Sequence, residues 1–254
     1  MQRIARVLLA LVFAAATAAC AQAPLKPKLT EAGIADPTSA LYVGNFIAAG
    51  MPGFRHRGTS VTISGSGFDW HDVNSYFRPN AVGAYSFGAN NVVSFNKLVK
   101  LFDVAIMMDC SQCPLNPQLK GVFHDYAKTN AETVRKYGTK PVYFMSWAYQ
   151  DAPEMTAQLA EAYVREANAN DAFVIPAGLA FARSVAQKPD LNLYVADKRH
   201  PGLAGTYLAA CTTYAALFKR SPVGSSYTAG LPADVARHLQ TVAWETVGSF
   251  YGWH

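Results

Sequence analysis

The chain is poor in charge, in cysteine and in repetition. Only 15% of its residues are Asp, Glu, Lys or Arg while 51% are apolar, the reverse of the balance that keeps a chain disordered. No run of Lys and Arg interleaved with aromatic residues occurs, so the electrostatic footprint of a nucleic-acid binder is missing. No internal period of roughly 20–50 residues appears, which excludes solenoids and propellers. Long Gly/Ser or charged tracts are also lacking, and 254 residues suit one domain with a full core. Of the four cysteines only Cys110 and Cys113 form a C-x-x-C pair, and no second pair or His-rich spacing joins them. A structural zinc centre is therefore not expected.

What is present begins with an export pattern. Arg3 and Arg6 open an apolar run from Val7 to Ala16, followed by small residues, which reads as a signal peptide over residues 1–21. Ala19-Cys20-Ala21 offers a cleavage site, and lipid attachment at Cys20 is the alternative. A membrane association is expected only in that lipidated case. Processing removes Arg3 and Arg6, so the formal charge of +5 becomes 5 − 2 = +3, a mildly basic surface. The expected location is secreted or periplasmic. Residues 22–37 carry Pro and Lys without periodicity and read as an extended leader; residues 38–254 form the domain.

In an oxidising compartment the mature cysteines suggest one bridge, Cys110–Cys113, with Cys211 a buried thiol in an apolar helical pattern. A thiol-redox use of the same pair is the competing reading, weakened by Pro114 and Pro117 just downstream.

Five short apolar runs read as strands: Leu41–Val43, Ser60–Ser64, Phe102–Met108, Pro141–Ser146 and Ala172–Ile175. Near-continuous apolar runs fit strands buried on both faces of a parallel sheet. Helical spacing fills Gln118–Tyr137, Pro153–Ala167, Gly178–Ala186, Gly202–Phe218 and Pro232–Tyr251. This alternation predicts an α/β sandwich with helices on both faces of a five-stranded parallel sheet. In that architecture a site lies beyond the carboxyl ends of the strands.

One loop there carries both a carboxylate and an imidazole. Asp197-Lys198-Arg199-His200 follows a short apolar stretch and leads into the Gly202 helix. A carboxylate holding one ring nitrogen fixes the tautomer and leaves the other for proton transfer. The bland alternative is a cap residue beside an exposed histidine. Its place before a late helix favours the first reading.

These residues together resemble the SGNH, or GDSL-type, hydrolase superfamily. The first block is Leu41-Tyr42-Val43-Gly44-Asn45, the second Ser64-Gly65-Ser66-Gly67, the third Asp109-Cys110-Ser111-Gln112, and the last Asp197 with His200. The resemblance spans most of the mature chain. It implies a flavodoxin-like three-layer sandwich and a serine ester hydrolase without cofactor. Its substrate would be an acyl or acetyl ester, on a small molecule, glycan or lipid. By the resemblance His200 is the base, Asp197 its orienting acid, and Gly67 and Gln112 the oxyanion donors. Gln112 stands where the family has Asn. The departure is in block one, where the family's nucleophilic serine is replaced by Phe46. Ser64, Ser66 and Ser111 are the substitute nucleophiles available at strand ends, although Ser64 and Ser66 also suit a glycine-rich turn. A non-catalytic cell-envelope ligand-binding protein on the same fold is the alternative function.

Other polar residues have plainer readings. Asp69, His71 and Asp72 could hold a metal, but Asp69 is expected as a helix N-cap with His71 and Asp72 on an exposed first turn. His124 and Asp125 are expected on a helix surface. Trp147 and Tyr149 follow the fourth strand and either line a cleft or pack.

Overall fold

The computed structural model describes residues 23–30, 39–44, 57–63, 65–77, 85–87, 89–91, 93–95 and 101–253. Residues 1–21, expected as a signal peptide and including Cys20, the stretch from Asn45 to His56 with Phe46, and Ser64 lie outside the described residues.

The strands are β1 (Ser39–Gly44), β2 (Arg57–Val61), β3 (Tyr85–Phe87), β4 (Val93–Phe95), β5 (Val104–Met108), β6 (Lys140–Phe144) and β7 (Phe173–Ile175). Five form one sheet in the order β2-β1-β5-β6-β7, every neighbouring pair parallel. β3 and β4 pair antiparallel in a separate ribbon that the sequence reading did not anticipate. The helices are α1 (Lys120–Lys136), α2 (Met155–Ala169), α3 (Ala177–Gln187), α4 (Leu203–Phe218) and α5 (Ala233–Tyr251).

The expected three-layer α/β sandwich is thus observed, and the period of two along the strands builds it. Val104, Ile106 and Met108 of β5 face one core, together with Val142, Phe144 and Ile175, under α3, α4 and α5. Ala105 and Met107 face the other, with Leu41, Val43, Tyr143 and Val174, against α1 and α2. α1 meets that second core through Phe123, Ala127, Ala131 and Val134, a single helical stripe. It stops before Gly138, whose φ of +71° no β-carbon favours.

β2 differs from its sequence reading. It runs from Arg57 to Val61, not Ser60 to Ser64, because its ladder with β1 pairs Ser39 with Arg57 and Val43 with Val61. Gly58, Thr59 and Ser60 are exposed, as suits an edge strand rather than one buried on both faces.

The segment read from the sequence as a leader contacts α2 and the C-terminal residues over its described part, residues 23–30. The Lys28 N–H donates to Asn168 Oδ1 at 2.6 Å, the Asn168 amide donates to the Lys26 carbonyl at 2.9 Å, and Trp253 donates to the Thr30 carbonyl at 2.9 Å. Pro27 is buried beneath these contacts. Among the described residues no helix is long and apolar enough to cross a membrane.

Candidate active site

β1 is the switch point of the sheet, with β2 on one side and β5 on the other. Gly44 pairs with Met108, so the first-block Gly44 and the third-block Asp109 leave adjacent strand tips. This is the crevice where open α/β sheets bind ligands.

Asp197 and His200 occupy a tight loop. Tyr194 and Pro201 form an isolated antiparallel bridge, the Val195 N–H donates to the His200 carbonyl at 3.0 Å, and Lys198 adopts a left-handed φ of 64°. The turn at Lys198 brings the Arg199 and His200 N–H groups onto Asp197 Oδ1, at 2.8 and 2.9 Å. The second carboxylate oxygen meets His200 Nδ1 at 2.6 Å. The His200 bond, followed by the two backbone N–H groups, holds the Asp197 carboxyl down at about 2. Asp197 is therefore an anion at any working pH. With Nδ1 engaged by the carboxylate, Nε2 is the ring nitrogen left for proton transfer. Both side chains are exposed.

The loop after β6 braces this pair. Trp147 donates its indole N–H to the Arg199 carbonyl at 2.8 Å, the Gln150 N–H donates to the Lys198 carbonyl at 2.9 Å, and Tyr194 donates to the Ala148 carbonyl at 2.9 Å. The Arg199 guanidinium lies 4.9 Å from the centre of the Tyr149 ring, whose hydroxyl is 2.9 Å from Ser111 Oγ. Through Tyr149, the His200 loop and the Ser111-Gln112 turn belong to one connected rim. Gln112 is exposed on it, its carbonyl accepting from the Leu115 and Asn116 N–H groups.

Beneath that rim sits a buried polar cluster. Gly67 is buried, and a β-carbon there would stand 2.6 Å from Asp69 Oδ1, 3.1 Å from Asp109 Oδ1 and 3.8 Å from Cys113 Sγ. Asp69 is exposed and its side chain can swing aside, so the pressure on a β-carbon comes from the buried Asp109 carboxylate, not from the backbone angle, since φ is −89°. Asp109 is 2% exposed, and its Oδ1 accepts from the Phe68 N–H at 2.9 Å and the Cys110 N–H at 2.8 Å. Burial lifts its carboxyl to about 6 even though both N–H bonds pull the other way. Cys110 and Cys113 are joined by a disulfide. The thiol of Cys211 is buried in α4 and pushed up to about 12 by that burial.

His71 departs from expectation. It is 3% exposed, with Nε2 at 2.9 Å from Ser66 Oγ and Nδ1 at 3.0 Å from the Tyr76 hydroxyl. Burial holds its imidazole below the usual range, outweighing the opposing field of Asp69. Asp69 is not an N-cap either: Gly67 holds that position of the 3₁₀ turn Phe68–Trp70, with no side-chain cap. His71 follows that turn in extended conformation, with φ −107° and ψ 112°, and is held inside by its Ser66 and Tyr76 partners. His124 is exposed on α1 and meets the Glu166 carboxylate at 2.9 Å.

Ser66 and Ser111 therefore have partners, His71 and Tyr149, and neither is hydrogen-bonded to His200 among the described residues. The sequence reading missed Asp109 as a buried acid and Arg199 as part of the rim. A hint existed for Asp109, a carboxylate ending an otherwise wholly apolar strand. A cavity of about 380 Å³ opens elsewhere, lined by Leu179, Arg183, Thr246, Ser249 and Phe250 of α3 and α5.

No protein-family model matches the chain, and no curated protein matches its sequence. Solved structures do. A DUF4886 family protein from Bacteroides uniformis is similar with a TM-score of 0.56 at 18% identity, over 82% of this chain and 93% of that one. A candidate SGNH hydrolase from Slackia heliotrinireducens is similar with a TM-score of 0.53 at 21% identity, over 71% and 98%. Sheet order, layers and these likenesses define a parallel α/β sandwich of the flavodoxin type. Within that class the fold is similar to that of the candidate SGNH hydrolase.

Proposed function

We propose that this chain is an exported ester hydrolase of the SGNH type whose own nucleophile position has been altered. The observation that carries the reading is the 2.6 Å contact between Asp197 Oδ2 and His200 Nδ1 on a loop braced to the strand-end rim. His200 acts first as base and then as acid, and Asp197 orients it and stabilises the imidazolium. On this reading Gly67 and Gln112, matched to the family's oxyanion donors by the sequence resemblance, would steady the oxyanion. The substrate is an acyl or acetyl ester on a small molecule, glycan or lipid. Export is supported by the pattern over residues 1–21 and by the disulfide, which persists in oxidising compartments.

Phe46 has no nucleophilic atom, so turnover by the chain as written is weak or absent. Loss of a triad nucleophile leaves about 10³–10⁴ over water from binding and the oxyanion hole. The test is hydrolysis of short p-nitrophenyl esters by the chain, by Phe46→Ser and by Phe46→Ser with His200→Ala. The reading expects Phe46→Ser to raise kcat by at least about 10²-fold and His200→Ala to remove the gain. No gain in a folded Phe46→Ser protein would overturn it. Phe46 itself favours a second reading, a cell-envelope protein that keeps the cleft to bind a glycan or acyl ligand. Ligand-induced stabilisation without turnover in either form is its expected signature.

A further inference from the structure

We propose that Cys110–Cys113 is a redox-active pair, exchanging with a dithiol reductant, and that Asp109 is its proton carrier. Four observations point there, none of them used by the ester chemistry. The two cysteines differ in exposure: Cys110 is half-buried, while Cys113 is 7% exposed. Asp109, Cys110 and Cys113 bring their carboxylate oxygen and sulfur atoms within 4.8 Å of one another. Gly67 leaves no side chain between the carboxylate and Cys113 Sγ. The bridge spans a sequence separation of only three, and so short a ring restrains the unfolded chain least, which makes it a poor staple.

The chemistry balances as follows. A thiolate of the reductant attacks Sγ of Cys110, the more exposed of the two residues, the Sγ–Sγ bond breaks, and the electron pair leaves on Cys113 Sγ. The Asp109 carboxyl gives its proton to that buried thiolate and becomes a carboxylate. The reductant's second thiolate then attacks its own sulfur in the mixed disulfide, releasing Cys110 as a thiolate that solvent protonates. The protein gains two electrons and the reductant leaves as a disulfide. In the reverse direction the Asp109 carboxylate takes the Cys113 proton. A carboxyl that burial has raised to about 6 suits both directions near neutral pH. The other ionisable groups whose fields couple to it are Asp69 on the neighbouring 3₁₀ turn and Tyr163 on α2. Exchange also reaches the ester site's rim, because the bridge encloses Ser111 and Gln112.

The test uses the folded full chain, reduced with dithiothreitol, re-oxidised with oxidised glutathione, and trapped with an alkylating reagent at timed intervals. Cys110 and Cys113 are expected to exchange reversibly without denaturant while Cys211 stays unlabelled. Asp109→Asn still accepts the Phe68 and Cys110 N–H groups, so the turn is kept, and the pH profile of exchange separates proton transfer from a change in stability. The expected result is re-oxidation slowed at least about tenfold at pH 7.5. In the wild type, the reduction rate per reductant thiolate falls as pH rises through about 6, and in Asp109→Asn it is flat. Reduction that requires denaturant overturns the proposal whatever the variant does, and so does an Asp109→Asn rate within twofold of wild type.

Discussion

Trp147 donates its indole N–H to the carbonyl of Arg199 across 2.8 Å, fastening the loop after β6 to the residue beside His200. The same ring stacks on Phe181 of α3, centroids 4.5 Å apart and planes 12° from parallel. The indole thus links the packed interior to an exposed loop.

Trp147→Phe keeps the stack and removes the donor. We expect a stability loss of about 1 kcal/mol, because water reaches the exposed Arg199 carbonyl in its place. In the Phe46→Ser background, kcat should fall severalfold with little change in KM, the mark of a positioning residue. Chemical denaturation and ester kinetics on the same preparations check both.

Asp197→Asn preserves acceptance of the Arg199 and His200 N–H groups but can turn an amide toward His200 Nδ1. The imidazole is then held in the wrong tautomer, and the comparable change in a catalytic triad costs about 10⁴ in kcat. The expected loss in Phe46→Ser is of that order, without loss of fold. Since Asp197 titrates at about 2, any fall in activity above about pH 4 belongs to another group. A pH–rate profile tests this.

Asp109 makes stability depend on pH in the direction opposite to most carboxylates. Its carboxyl lies near 6 in the folded chain and at the ordinary 3.8 when unfolded. The folded state therefore binds the extra proton between those values. Its contribution is fully present below about pH 4 and is lost as pH rises through about 6. At about 1.4 kcal/mol per unit, the difference amounts to roughly 3 kcal/mol. Asp109→Asn should match the wild type near pH 4 and exceed it by up to that amount at pH 8, as urea midpoints would show.

Gly178 enters α3 where a β-carbon would stand 2.2 Å from the Ser146 carbonyl oxygen, a backbone atom that no rotamer can move aside. Gly178→Ala should cost about 1–3 kcal/mol, by overpacking, despite the better helix propensity of alanine. Gly121 has open space around its α-carbon, so Gly121→Ala should stabilise α1 by up to about 1 kcal/mol. Opposite shifts in thermal midpoint are the check.

Much of the frame was legible because it rests on short-range pattern. Phe102–Met108 and Pro141–Ser146 were readable as strands from their apolar runs, and β5 and β6 overlap them closely. β2 was misplaced because an edge strand has little apolar signal, and its ends are set by the length of β1 beside it. His71 was misread because a polar residue in a Gly-rich stretch looks exposed until Ser66 and Tyr76 are seen to close around it.

The sequence alone determined the parallel α/β layering and the Asp197–His200 pair, since a strand's alternation and a three-residue loop spacing are local properties of the chain. Tertiary structure decided which serines had partners, how far burial would raise Asp109, and that Trp147 and Tyr149 would join the strand-end loops into one rim. Those outcomes depend on which distant segments come together and how much water they exclude, and no local pattern encodes either.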